Sequence, residues 1–208
     1  MLARRPERPV ADARLPAVPD PLDHPAVRRV LDAAARKGVT IEIHTFDEST
    51  HTAQEAAAAV GAELGQIVKS LVFVADGDEG PEPIIALVAG TNRVDLGRLA
   101  AVLSERDIRR ASAREANDLT GFTIGGIPPI GFDRPVRVVM DPDLGRFQVV
   151  WAAAGLPNAV FPVPPATLRT LANATVAPIA EIPQPGPSGP KQSGPEPAEP
   201  ASEAAPGS

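Results

Sequence analysis

The chain contains no cysteine among its 208 residues. This absence excludes disulfide-stapled scaffolds, zinc sites built from thiolates, and catalysis by a cysteine nucleophile. Long apolar runs are also missing, since no segment approaches the roughly 20 apolar residues that a membrane-spanning helix needs. Charged residues interrupt residues 1–20, which therefore do not resemble a secretory signal. Together these absences predict a soluble, cytoplasmic protein that makes no contact with a membrane.

Positive charge is scarce as well. The chain has only three lysines against 17 arginines, and its 26 acidic residues outnumber its 20 basic ones. The net charge is −6 and the pI is about 5.1. Proteins that coat nucleic acid are usually basic, because binding rests on neutralising phosphates. The charge therefore argues against a general nucleic-acid coat, and it predicts that any polyanionic partner is held by a local site.

Proline is concentrated at the two ends of the chain. Of the 25 prolines, six lie in residues 1–25 and eight in residues 183–208. Residues 183–208 contain no leucine, isoleucine, valine or aromatic residue, so nothing there offsets the entropy lost on ordering. The composition predicts a loose N-terminal extension over residues 1–25, one domain over residues 26–182, and a disordered tail over residues 183–208.

Apolar periodicity and capping residues divide the predicted domain into helices and strands. Helices are predicted over residues 25–38, 52–61, 95–103, 112–121 and 165–172. Strands are predicted over residues 39–46, 67–75, 84–89, 136–140, 148–153, 159–163 and 176–182, with the polar residues 76–83 as a hairpin loop. Because helices and strands alternate irregularly and several strands are joined by short turns, we expect a mixed, largely antiparallel α/β (α+β) domain.

Lys69 is the most informative single residue. Of the other two lysines, Lys37 lies at a predicted helix end and Lys191 in the predicted tail, whereas Lys69 lies inside an apolar strand, IVKSLVFV. A buried ammonium group is costly unless it is paired. Lys69 therefore either meets an anion in a cleft, or points outward from the solvated face of an ordinary strand.

Two glycine-containing segments are further candidates. Residues 125–131, GGIPPIG, combine glycines that allow close backbone approach with a proline pair that stiffens the loop. Such a loop either holds a small group by main-chain contacts or is a structural turn. Residues 152–160, AAAGLPNAV, place Asn158 in a turn between two strands, where it either fixes a ligand or serves the turn itself.

No familiar catalytic constellation is present. His24, His44 and His51 do not have metal-ligand spacing, and we expect His51 near the cap of the second helix. Asp141 and Asp143 flank a proline, as in an ordinary turn. The sequence offers no triad, no metal site, no dinucleotide or phosphate-binding fingerprint, and no need for a cofactor.

Four segments in their order nonetheless resemble one family. TAQEAAAAVGAELGQIVKSLVFV, GTNRVDLGRLAAV, TGFTIGGIPPIGF and WAAAGLPNAVF are similar to the YbaK/EbsC family of aminoacyl-tRNA editing domains, which includes the insertion domain of bacterial prolyl-tRNA synthetases. The resemblance covers roughly residues 26–182, and the combination of KSL with GGxPP is its specific part. It implies a barrel-like mixed sheet flanked by helices. It also implies trans-acting hydrolysis of the ester on a mischarged tRNA, most often the proline tRNA.

The resemblance also assigns the site. It places Lys69 against the terminal nucleotide, and places the acyl group or its ester carbonyl on the backbone N–H groups of a loop. That loop comprises Gly125, Gly126, Ile127, Pro128 and Pro129.

By the same resemblance, Gly155 and Asn158 contribute to the pocket wall. Water and the ribose hydroxyl of the tRNA would supply the chemistry, which agrees with the missing triad. The implied partners are the acceptor end of a mischarged tRNA and, as a further possibility, a synthetase. The alternative is an editing-like binding module that has lost catalysis and senses aminoacyl ends or docks a synthetase.

Overall fold

The computed structural model describes residues 20–46, 52–77 and 80–182. The tail predicted over residues 183–208 lies outside these ranges, as do His51 and all but the last six residues of the predicted extension. Within that last part, Pro21–Asp23 form a short 3-10 helix capped by Asp20. The domain boundaries at residues 26 and 182 stay predictions.

Five α-helices are present in the described part, and local sequence signals begin and end them. They are α1 (Pro25–Arg36), α2 (Ala53–Val60), α3 (Leu96–Leu103), α4 (Ala113–Thr120) and α5 (Pro165–Ala172). Capping boxes open α2 and α4, where a threonine or serine side chain and a glutamate three residues later satisfy each other's backbone N–H groups. Left-handed glycines close the same two helices, at Gly61 and Gly121.

The strands of the described residues form two sheets. They are β1 (His44–Thr45), β2 (Val68–Gly77), β3 (Gly80–Ala89), β4 (Ile108–Arg110), β5 (Arg137–Met140), β6 (Val150–Ala153), β7 (Ala159–Val163) and β8 (Thr175–Val176). A five-stranded sheet has the order β4-β2-β3-β5-β8, and a three-stranded sheet has the order β1-β7-β6. Pairing is antiparallel except for β3 with β5 and β5 with β8. The predicted mixed, largely antiparallel α/β class is confirmed.

The five-stranded sheet has apolar side chains on both faces. Along β2, Val68, Val72 and Val74 belong to the larger core, which also holds α1, α5 and the three-stranded sheet. The alternate residues Phe73 and Ala75 belong to a smaller core with Leu99 of α3 and Ile179. Because both faces of the sheet are covered, the sequences of β2 and β3 are nearly continuous runs of apolar residues.

The expected barrel-like closure is not seen among the residues that the structure describes. The two sheets meet through a single parallel bridge between Ile67 and Trp151, and the structure shows no closed ring of strands among the residues it describes. Closing a sheet requires its edge strands to pair continuously, whereas here each sheet ends on a strand of two to four residues.

Several predicted bounds also need correction. The predicted strand over residues 39–46 narrows to β1, and that over residues 176–182 ends at Val176. The predicted hairpin loop over residues 76–83 is mostly strand, because β2 runs on to Gly77 and β3 starts at Gly80. Strand β4 was not predicted at all. None of the helices described here combines the length and the hydropathy that crossing a membrane would require.

Candidate active site

A cavity of about 220 Å3 opens beside the start of β2. Its wall combines residues from β2, the start of α2, the end of β4, the loop after α4, and the region of β6 and β7. The lining is mostly small or aliphatic. Its members are Thr52, Ala53, Ala56, Ile67, Val68, Lys69, Ser70, Leu71, Val72, Arg110, Ala111, Ala116, Ile124, Gly125, Ile127, Trp151, Ala153, Pro157 and Val160.

Lys69 is half buried in the wall of this cavity, with its backbone paired to Val88 in the centre of the sheet. Its ammonium group donates a hydrogen bond to the backbone carbonyl oxygen of Asn92. Burial lowers the pKa of Lys69, and the nearby guanidinium groups of Arg93 and Arg110 lower it further because they repel a third positive charge. The strand therefore holds a partly desolvated cation at a fixed point in the cavity wall.

The loop after α4 supplies backbone groups to the same cavity. Gly125 takes a φ of +91°, a conformation that favours glycine, and both Gly125 and Ile127 line the cavity. The N–H of Gly126 donates to the carbonyl oxygen of Thr123 at 3.0 Å, so that N–H is used within the loop. The N–H groups of Gly125 and Ile127 have no hydrogen-bond partner among the residues that the structure describes.

Not all predicted site residues reach this cavity. Pro128 and Pro129 are buried but do not line it, and Pro129 lines a separate cavity with Lys37 and Phe132. Gly126 is buried behind the loop, where a Cβ would lie 2.7 Å from the carbonyl carbon of Leu156. The structure thus brings Lys69, Gly125 and Ile127 together in the cavity lining. Gly126 and the two prolines are buried behind that lining, where they support the loop.

Gly155 and Asn158 also lie outside the cavity lining. Gly155 has a φ of +99°, and a Cβ there would lie 2.8 Å from the carbonyl oxygen of Ala26 in α1. The Asn158 side-chain amide donates to the carbonyl oxygen of Phe46 at 2.9 Å, and the Phe46 N–H donates back to the Asn158 carbonyl oxygen. Both residues therefore lie against the backbone of other segments. These contacts position the turn between β6 and β7, whose Pro157 lines the cavity.

Sequence reasoning missed several lining residues. Arg110 reaches the cavity from β4, a short edge strand that no periodicity signals. Trp151 lines the cavity next to His44, with ring centroids 5.1 Å apart and edge-to-face geometry. Ile124 is 57% exposed and lines the cavity beside Gly125.

Carboxylate and imidazole side chains are missing from the described part of this wall. None of the described lining residues is aspartate, glutamate or histidine. Within residues 20–46, 52–77 and 80–182, no three histidine or carboxylate side chains lie together where they could hold a metal ion. The cavity can therefore bind a small, largely apolar group beside the cationic side chains of Lys69 and Arg110, in a wall that contains two residues whose backbone N–H groups have no partner among the described residues.

Comparison with known proteins places this geometry in a family. A model of the "Aminoacyl-tRNA editing domain" matches residues 47–171. The chain is 32% identical over 127 residues to the uncharacterized protein YwhH of Bacillus subtilis, covering 61% of this chain and 78% of that protein. It is 28% identical to the multifunctional Ser/Thr-tRNA deacylase ProXp-y of Escherichia coli K12, covering 62% and 77% of the two chains.

A solved structure gives the same result in three dimensions. The crystal structure of a candidate trans-editing enzyme for prolyl-tRNA synthetase superposes with a TM-score of 0.69 at 44% sequence identity, covering 76% of this chain and 99% of that one. The family match spans more than half of the chain and contains β2, the glycine loop and β7. The chain therefore belongs to the aminoacyl-tRNA editing domain family, an enzyme family whose named members include tRNA deacylases.

Proposed function

We propose that this protein hydrolyses, in trans, the ester bond between a tRNA and a small, wrongly attached amino acid, and that the tRNA is the proline tRNA. The observation that carries this proposal is the small, largely apolar cavity that places Lys69 beside two backbone N–H groups without partners among the described residues, and whose described lining holds no carboxylate and no imidazole. At about 220 Å3 the cavity lies below the roughly 300–1,000 Å3 of most ligand sites, which favours an aminoacyl group over a whole nucleotide.

The reaction requires little chemistry from the side chains. A water molecule adds to the ester carbonyl carbon, the bond from that carbon to the ribose oxygen breaks, and the ribose oxygen leaves with a proton from the water. The products are the free amino acid and uncharged tRNA. Because none of the described lining side chains is a carboxylate or an imidazole, we assign that transfer to the neighbouring ribose hydroxyl of the tRNA.

The backbone of the glycine loop would stabilise the charge that develops on the ester oxygen. Hydrogen-bond donors that are already oriented toward such an oxygen lower the barrier by several kcal/mol. The N–H groups of Gly125 and Ile127 suit this role because neither has a partner among the described residues. The hydrogen bond from the Gly126 N–H to the Thr123 carbonyl oxygen and the buried Pro128 and Pro129 hold the loop in place for this role.

Lys69 would anchor the terminal nucleotide through its phosphate. The side chain lies at the cavity wall, and its positive charge is partly desolvated, which strengthens its attraction to an anion. Its hydrogen bond to the Asn92 carbonyl fixes the ammonium group without neutralising it. The phosphate contact would align the ester with the glycine loop, so its loss should affect the rate as well as binding.

The choice of tRNA and amino acid rests on the relatives. The structure that superposes on this chain belongs to a candidate trans-editing enzyme for prolyl-tRNA synthetase, and the E. coli relative is named for serine and threonine. Serine and threonine are small amino acids, which agrees with the size of the cavity. A synthetase that docks the protein could deliver the substrate, so hydrolysis is best measured with and without prolyl-tRNA synthetase.

The first prediction concerns Lys69→Ala. On a panel of tRNAs mischarged with serine, threonine, alanine or cysteine, the wild-type protein should hydrolyse at least one above the spontaneous rate. The variant should lose about 100-fold in kcat/KM, the scale of one oriented charge-assisted contact. Lys37→Ala is the matched control, because Lys37 donates to the Thr170 carbonyl oxygen and lies outside the cavity.

Two results would count against the proposal. If Lys69→Ala kept the kcat/KM of Lys37→Ala on every active substrate, Lys69 would not anchor the tRNA. If the wild-type protein bound mischarged tRNAs but hydrolysed none of them, the protein would be a binding module. Circular dichroism of both variants checks that the fold is retained.

A further inference from the structure

A second groove, of about 430 Å3, lies next to the cavity. Lys69, Leu71 and Arg110 line both spaces, so the two share a wall. The other lining residues of the groove are Phe73, Asn92, Arg93, Val94, Leu96 and Glu181. A ligand bound in the cavity would therefore lie next to this groove, across the side chains of Lys69, Leu71 and Arg110.

The groove gathers three cations and one carboxylate, an excess of two positive charges in a chain whose net charge is −6. Arg93 and Arg110 are exposed, and neither forms an ion pair with any residue in the part of the chain that the structure describes. Arg109, the neighbour of Arg110 on β4, is by contrast paired with Glu115. Three cations beside one carboxylate leave an excess of positive charge in the groove, and a bound anion would relieve the repulsion between the cations.

The backbone holds these cations in place. Lys69 donates to the carbonyl oxygen of Asn92, and the Asn92 side chain donates to Asp143 at 2.8 Å. The carbonyl oxygen of Arg93 accepts from the N–H of Glu181 at 2.9 Å, and Arg110 is in register with Phe73 on the neighbouring strand. Each of the three cations therefore lies on a backbone segment that hydrogen bonds or strand pairing hold against another part of the fold.

The shape and charge select a single strand over a duplex. A duplex presents phosphates over a wide surface, and the net charge of −6 on this protein would repel them. A single strand needs only a narrow positive groove with apolar surface for its bases. Leu96, 41% exposed on the groove wall, offers such a surface.

We propose that Lys69, Arg93 and Arg110 form a phosphate track that binds the unpaired 3′ strand of the tRNA and leads its terminal nucleotide to the cavity. This inference rests on the proposed function and extends it from the ester to the nucleotides that precede it. Arg93 is the discriminating residue, because it lines the groove but not the cavity.

The second prediction therefore concerns Arg93→Ala. With a mischarged substrate the variant should raise KM by about 5-fold and change kcat by less than about 2-fold, since one phosphate contact is lost away from the ester. With an uncharged RNA hairpin that ends in an unpaired four-nucleotide 3′ strand, its affinity should fall by a similar factor. The slope of log Kd against log salt should fall by about 0.7. Arg93→Lys should recover most of the binding.

A double-mutant cycle separates the unpaired strand from the duplex. One change is Arg93→Ala and the other is removal of the four unpaired nucleotides from the hairpin. Because both changes remove the same contact, the protein variant should bind the blunt hairpin as well as the wild type does. Arg114→Ala is the matched control, since Arg114 is 91% exposed on α4 and pairs with Asp118.

The outcomes are distinct. Equal losses on the blunt and the overhanging hairpin would overturn the track and assign Arg93 to the duplex. Binding indistinguishable from Arg114→Ala on the overhanging hairpin would show that no phosphate lies at Arg93. Because the hairpin is uncharged, both results are obtained even if the protein hydrolyses no ester, so failure of the track and failure of the proposed function are told apart.

Discussion

Gly126 lies where two loops at the cavity approach each other most closely. A Cβ on this residue would lie 2.7 Å from the carbonyl carbon of Leu156 and 3.0 Å from the carbonyl oxygen of Gly155. These are backbone atoms, which cannot rotate away as a side chain can. The absence of a side chain at Gly126 therefore sets how closely the loop bearing Gly125 and Ile127 packs against the turn that carries Pro157.

The third prediction is that Gly126→Ala is destabilising and nearly inactive. Forcing the two loops apart should cost about 2 kcal/mol of unfolding free energy, as overpacked sites usually do. It should also displace the N–H groups that line the cavity, so kcat/KM should fall by at least about 10-fold. Urea unfolding and the deacylation assay measure the two effects.

Gly145→Ala is the control for that substitution. A Cβ at Gly145 meets nothing within 4 Å, and the residue lies in the short 3-10 helix Pro142–Arg146. Its replacement should shift the unfolding free energy by less than about 0.5 kcal/mol. If both glycine variants were equally stable, the close contact at Gly126 would not constrain the loop.

At the residue scale the sequence predicted that the loop over residues 125–131 belongs to the site, but not which of its residues line the cavity and which only support the loop. Lys69 was identified because a lysine inside an apolar strand is rare in this chain, and Gly125 because glycines and prolines cluster there. Asn158 and Gly155 instead contact the backbone of Phe46 and Ala26. Those contacts join residues more than 100 positions apart, and no local pattern reports them.

Helix α4 shows how an element is stabilised by its first turn. The Glu115 carboxylate accepts hydrogen bonds from the N–H and hydroxyl of Ser112, at 2.9 and 2.8 Å. It also accepts two from the guanidinium of Arg109, at 2.6 and 3.0 Å. These bonds favour the charged carboxylate and lower the pKa of Glu115 to about 2, with the bond from Arg109 the largest cause.

The fourth prediction follows from that lowered pKa. A carboxylate whose pKa is lower in the folded protein stabilises the fold above its ordinary pKa, near 4.5, and loses that contribution as the pH falls toward 2. Glu115→Gln should therefore have a lower Tm than the wild type at pH 7, and the difference should narrow between pH 4.5 and 2.

Thermal unfolding followed across this pH range tests the prediction. Asp32→Asn serves as the control because Asp32 is exposed and has no hydrogen-bond or ion-pair partner in the part of the chain that the structure describes, so the Tm of this variant should follow the wild-type pH profile. A constant difference in Tm between Glu115→Gln and wild type down to pH 2 would contradict the assignment.

The helix starts were predicted correctly where the signal is a local capping residue. The capping boxes at Thr52 and Ser112 and the cap at Asp95 begin helices at the predicted places. Strands depend on partners instead. The three residues of β4 are a strand because they pair with Phe73, Val74 and Ala75, and residues 177–182 are not because only a single bridge, between Val94 and Ala180, forms there.

At the scale of the whole molecule, residues 177–182 close the smaller core. Ile179 is fully buried there with Phe73 and Ile84. The buried carboxylate of Asp141 accepts hydrogen bonds from the N–H groups of Ile179 and Ala180, at 3.0 and 2.8 Å. Asp141 was predicted to be an ordinary turn residue. It does cap the turn at Asp143, and it also holds this distant segment against the sheet.

This closure makes the predicted domain boundary at residue 182 testable with two shortened chains. A chain that ends at Ile182 should unfold with the wild-type free energy, because residues 183–208 have no leucine, isoleucine, valine or aromatic side chain to bury. A chain that ends at Val176 loses a buried isoleucine, worth about 1.5–3 kcal/mol. It also leaves Asp141 buried without two of its donors, at a further cost of about 1–3 kcal/mol.

The fifth prediction is therefore that the two shortened chains differ by at least about 3 kcal/mol in unfolding free energy, measured with urea. The chain that ends at Ile182 should be the more stable one. Since single domains are stable by only about 5–15 kcal/mol, the shorter chain should be partly unfolded at 37 °C. Equal stability of the two chains would mean that the smaller core closes without Ile179. A loss of more than about 1 kcal/mol in the longer one would move the boundary beyond residue 182, because residues 183–208 would then contribute to the fold.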